Sequence, residues 1–131
     1  MFCSTSPIPP TDRYSITFKI NKISEGLMWV GLLVEEKKQE QYIGEEQGIM
    51  QFSLDGSKVL IDGKGHEIKI PEFKDGQTLS MEVEIPTRKL RFYRNGKPNP
   101  LVKLNIPESM ANAKLYPYVQ MIGEGDNITF L

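Results

Sequence analysis

The side chains of this 131-residue chain with the widest chemical range are one histidine, His66, and one cysteine, Cys3. Nucleophilic catalysis sets a Ser, Cys or Thr beside a base, most often a histidine. His66 follows Gly63-Lys64-Gly65 in a turn-like stretch with no second histidine to support a triad. It is therefore expected at the surface in a structural role. A zinc site draws three or four ligands from Cys, His, Asp and Glu, and Cys3 and His66 match no ligand spacing. Glu82 and Glu84 could in principle form the carboxylate pair of a sugar-cleaving groove. Alternate positions on the solvent face of a strand explain them better. Gly63-Lys64-Gly65 lacks both the Gly-x4-Gly-Lys-Ser/Thr spacing and the following helix of a phosphate loop. The chain is thus expected to carry no catalytic residue, no metal site and no cofactor.

Any residue that contacts a partner must then be positioned by the elements around it, and the composition bounds what those elements are. The chain is 39% hydrophobic and 25% charged, with 16 Lys+Arg against 17 Asp+Glu for a net charge of −1. That fits one globular domain with a single core. A near-neutral chain lacks the broad attraction on which phosphate-backbone and anionic-membrane binding depend, so neither nucleic acid nor membrane is expected as a partner. The longest apolar run, Leu27 to Val34, is far short of the roughly 20 residues of a spanning helix. Met1 to Asp12 lacks the basic start and apolar stretch of a secretory signal. With no possible intrachain disulfide, the sequence reads as intracellular and cytoplasmic.

Only two alanines stand against 13 isoleucines and 6 valines, a balance that favours β structure. Tyr14, Ile16, Phe18 and Ile20 alternate with Ser15, Thr17 and Lys19, the pattern of a half-buried strand. The same period recurs in Met50/Phe52/Leu54, Leu79/Met81/Val83/Ile85, Leu90/Phe92, Val102/Leu104/Ile106 and Ile128/Phe130. Leu27 to Val34 is apolar on both faces, as in a central strand, and Gly31 within it signals a bulge or close packing. Asp62-Gly63, Asp75-Gly76 and Gly123 to Asp126 read as turns, and Asn95-Gly96 as a hairpin or sharp reversal. Glu35 to Gln41 reads as a solvated loop, and Pro107 to Asn112 as one helical turn.

Five pieces in order resemble the SPRY domain family: Trp29-Val30-Gly31-Leu32, Phe52-Ser53-Leu54-Asp55-Gly56, Asp75-Gly76-Gln77-Thr78-Leu79, Leu90 to Lys97, and Leu115-Tyr116-Pro117-Tyr118-Val119. The resemblance runs from Tyr14 to Leu131 and implies an all-β fold, a bent sandwich of two antiparallel sheets of the concanavalin-like kind. Residues 1–13 would be a lead-in and 14–131 the core of one domain excised from a longer protein. The resemblance also implies a non-catalytic interaction module, monomeric in isolation, that recognises a peptide or surface loop of an intracellular protein as a scaffold or ubiquitin-ligase substrate receptor. Matched by position, the family's peptide-gripping loops fall at Pro9 to Arg13, Val59 to Asp62 and Met121 to Gly123. Asp12, Arg13, Leu60, Ile61, Tyr118, Gln120, Ile122 and Gly123 are the contact residues this implies. Two rival readings are a lectin-like carbohydrate module, which would need an exposed Trp29, and a structural domain packed within a larger assembly.

Overall fold

The computed structural model describes residues 2–4, 6–9, 13–24, 28–37 and 47–131. Its strands are β1 (Phe2–Cys3), β2 (Arg13–Lys22), β3 (Met28–Val34), β4 (Ile49–Ser53), β5 (Lys58–Ile61) and β6 (Lys64–Glu67). They continue with β7 (Thr78–Glu84), β8 (Lys89–Arg94), β9 (Val102–Asn105), β10 (Leu115–Met121) and β11 (Asn127–Phe130). One helical turn, α1 (Glu108–Ala111), precedes β10, and a 3-10 turn spans Glu35–Lys37 at the start of the charged stretch. Residues 38–41 of that stretch, like Asp12, lie outside the described residues.

Every ladder is antiparallel, and the strands form a six-stranded sheet, β1-β10-β3-β4-β5-β6, facing a five-stranded sheet, β11-β2-β7-β8-β9. Period-two alternation explains the second sheet directly. Phe18 and Ile20 of β2, Leu79, Met81 and Val83 of β7, and Leu90 and Phe92 of β8 are all buried. They meet Met28, Val30 and Leu32 of β3 and Met50 and Phe52 of β4 in one core. Each such side chain contributes about 1.5–3 kcal/mol on leaving water. At the centre the Phe52 ring meets Phe92 at 5.0 Å and Phe73 at 6.0 Å, both edge-on, the geometry that aromatic quadrupoles favour.

One local expectation is revised and one is met. Strand β4 is buried on both faces, Gln51 and Ser53 included, where alternation predicted a solvent face; the outer side of the first sheet is itself enclosed. Asn95-Gly96 does form a turn, with φ of 51° and 66°, closed by Lys97 N–H donating to the Arg94 carbonyl at 3.1 Å. Strands β8 and β9 pair antiparallel from Phe92 and Val102 onward, so the expected reversal is the start of a hairpin whose loop is residues 95–101. The two-residue hairpin is Asp62-Gly63, with φ of 49° and 86°, joining Ile61 to Lys64.

Candidate partner-binding surface

Three of the residues singled out from sequence, Leu60, Tyr118 and Gln120, share the outer face of the first sheet. Strand register sets Tyr118, Gly31, Gln51 and Leu60 in one row across β10, β3, β4 and β5. The Tyr118 hydroxyl hydrogen-bonds the Gln51 side-chain carbonyl, so its side chain reaches across the strand that carries Gly31. That strand has no room for a side chain there: a Cβ on Gly31 would lie 1.8 Å from the Met50 carbonyl oxygen. Leu60, Tyr118 and Gln120 are 2%, 1% and 3% exposed. Their side chains are thus packed into the sheet and not presented to a partner. In the neighbouring row, half-buried Trp29 lies between Gln120 and Ser53, so it is not the open platform that sugar stacking needs.

The remaining contact residues divide between the two ends of the sandwich. Strand β10 has its Leu115 end beside Val34 and its Met121 end beside Met28, about 20 Å apart for a strand of this length. Ile61, half-buried, lies in the row of Pro117 towards the Leu115 end. Arg13 stands at the same end of the second sheet, in register with Glu84, Lys89 and Asn105, just before α1. Ile122, 42% exposed, and Gly123 lie past the opposite end. There Asp126 accepts hydrogen bonds from Gly123 N–H at 3.1 Å and Ser24 N–H at 2.8 Å, fixing the loop. The described residues of the three loops matched from sequence therefore do not converge on one site.

What does converge at the Ile61 end is a set of segments tied together by Asp62. Its Oδ1 accepts the Gly48 N–H at 2.7 Å, and its Oδ2 accepts the Ser109 hydroxyl at 3.1 Å. One carboxylate thereby links the β5–β6 turn, the entry to β4 and helix α1. Around it lies a cleft of about 680 Å³ lined by Val34, Glu36, Lys37, Gln47, Gly48, Asp62, Ser109, Met110 and Ala113. Val34, Met110 and Ala113 supply apolar surface, and Glu36, Lys37, Gln47, Asp62 and Ser109 supply polar and charged groups. Gly48 sits at φ 82° with the Val34 side chain 2.7 Å from where a Cβ would stand. Asp-Gly marked this turn in the sequence, but Ser109, 47 residues away, gave no local sign of being its partner.

Arg13 is exposed and ion-paired to Glu84 at 2.9 Å. The hydrogen bond to Glu84 raises the Arg13 pKa above its usual value. Hydrogen bonds from Thr87 and then Arg13 hold the Glu84 carboxyl below the usual carboxylate range. This fixes Arg13 against the sheet as part of a polar surface. His66 is exposed on the edge strand β6. Among the described residues no three His, Cys, Asp or Glu side chains gather to hold a metal ion. Among them too, no helix is long and apolar enough to cross a membrane.

Solved structures with the same architecture include the SPRY domain of human HERC1, at 16% identity and TM-score 0.73, covering 98% of this chain and 79% of that one. The TRIM65 PSpry domain matches at 16% identity and TM-score 0.75, covering 98% and 69%. A human SPRY domain matches at 16% identity and TM-score 0.75, covering 98% and 81%. No curated protein matches the sequence. SPRY domains generally serve as protein–protein interaction modules and are typically non-catalytic. The family model for the SPRY domain matches residues 13–131, and the chain belongs to that family.

Proposed function

We propose that this chain is a non-catalytic module that binds a peptide or surface loop of a partner protein in the Asp62 cleft. The observation that carries the reading is the double use of the Asp62 carboxylate, which holds three loop segments around a formed concavity. A surface ordered before the partner arrives lowers the conformational cost of binding. Loops on a rigid sandwich vary without disturbing its ladders. Ile61 stands at this end beside the cleft; Arg13 is at the same end but on the second sheet, paired with Glu84. Ile122 and Gly123, at the far end, do not reach the cleft.

The test places a photo-crosslinking amino acid at Gln47, at Ala113 and at His66 in turn, all three exposed, with cell extract as the partner source. Crosslinks to the same protein from Gln47 and Ala113, absent from His66, support the cleft. A partner that crosslinks only from His66, or equally from all three sites, refutes it.

A further inference from the structure

The outer face of the second sheet concentrates positive charge in a chain whose net charge is −1. One row runs Arg13, Glu84, Lys89, Asn105, and the next runs Ser15, Glu82, Arg91, Lys103, with Lys19 further along β2. Five cations therefore share the face with two carboxylates. Both carboxylates are engaged: Glu84 by Arg13 and Thr87, Glu82 by Arg91 at 3.1 Å and by the Tyr93 hydroxyl at 3.5 Å. Lys89, in register beside Glu84, donates to the neutral Asn105 side-chain carbonyl at 2.6 Å.

At the rim of this face is a pocket of about 370 Å³ lined by Thr87, Arg88, Lys89, Asn105, Ile106 and Pro107. It offers two cations and the Asn105 amide N–H2, with no carboxylate among its lining residues; the Thr87 hydroxyl already donates to Glu84. Arg88 stands there at φ 55°, a conformation that Asn or Gly adopts with less strain.

We propose that this face and its rim pocket form a second docking surface, which takes an acidic segment of a partner protein. One carboxylate of the segment enters the Arg88–Lys89–Asn105 pocket, and others lie along Arg91, Lys103 and Lys19. Such complementarity steers encounter and selects the partner more than it deepens affinity. A nucleic-acid strand, with a phosphate at every nucleotide, would have to cross Glu82 and Glu84, whereas a peptide can space its carboxylates around them. The proposal is independent of the Asp62 cleft.

The probe is a fluorescein-labelled peptide of alternating glutamate and glycine, followed by fluorescence anisotropy at low salt. Two triple variants of equal charge change are compared: Arg88→Asn, Lys89→Gln, Lys103→Gln on this face, and Lys64→Gln, Lys69→Gln, Lys74→Gln away from it. All six residues are exposed or half-exposed, and circular dichroism checks that both variants keep the fold. The face variant is expected to raise Kd about tenfold or more and the control less than about twofold. Equal losses in both variants, no binding by the unmodified chain, or tighter binding of single-stranded RNA than of the peptide would each overturn the proposal.

Discussion

Replacing Gly31 with alanine tests the packing of the first sheet most sharply. The new methyl would stand 1.8 Å from the Met50 carbonyl oxygen and 2.7 Å from the Gln51 Cα. Both are backbone atoms of the paired strand, so no side chain can swing aside. Relief requires β3 and β4 to part by more than about 1 Å across a ladder whose strands normally lie about 4.8 Å apart. Overpacking of this kind costs about 1–3 kcal/mol, and each ladder hydrogen bond lost adds about 1 kcal/mol. With two such bonds broken, the total is roughly 3–5 kcal/mol, a large part of the roughly 5–15 kcal/mol that holds a domain together. The contrast is Gly96, where a Cβ would meet nothing within 4 Å but φ is 66°. Gly96→Ala is limited to the left-handed penalty of roughly 1–2 kcal/mol, and Gly96→Asn to less. Urea unfolding followed by the fluorescence of Trp29, the single tryptophan and two residues from the substitution, ranks the three variants. Gly31→Ala falling within about 1 kcal/mol of the unmodified chain would refute the steric account, as would a larger loss for Gly96→Ala.

Four further outcomes are expected. Tyr118→Phe strands the buried Gln51 carbonyl and costs about 1–3 kcal/mol in chemical denaturation; adding Gln51→Leu, which removes the orphaned group, restores part of that loss. Phe52→Ala opens the centre of the aromatic cluster and lowers stability by about 3–5 kcal/mol, read as a drop in the thermal midpoint with the same fold by circular dichroism. Partial burial acts to raise the Asp55 pKa, but hydrogen bonds from the Ser57 and Ser53 hydroxyls and the Ser57 N–H outweigh it and hold the carboxyl below its usual value. Its contribution is therefore complete above the ordinary aspartate range and is lost as pH falls through it to the lowered folded value. Asp55→Asn should flatten that acid limb of the stability curve, and an unchanged limb would count against the hydrogen bonds. Asp62→Ala frees Gly48 and Ser109, costs about 1–3 kcal/mol, and should weaken partner capture beyond its effect on folding; retained capture would detach the cleft from binding.

Period-two alternation is a local property, and it is written plainly in Tyr14 to Ile20 and Leu79 to Ile85. Residue order along those segments already says which side chains enter the core. The five ordered pieces of the family resemblance are local in the same way, since turns such as Asn95-Gly96 depend on the residues that form them. The double burial of β4 was not legible, because Gln51 and Ser53 are polar and only their register beside Gly31 and Trp29 places them on an enclosed face. Leu60 and Tyr118 read as contact residues for the same reason: nothing near them in the chain shows that both belong to one buried row.

The sequence by itself determined the β class, the core-facing side chains of the alternating strands, the positions of the turns and the membership of a family. Only the tertiary structure decided which loops are neighbours. Strand pairing is nonlocal, and the direction in which β10 crosses the sheet puts Ile122 and Gly123 at one end and Ile61 at the other. The same nonlocal pairing brings Ser109 to Asp62 and aligns the cations of β2, β8 and β9 on one face. Local chemistry fixes what each segment is; the order of the strands fixes what it stands beside.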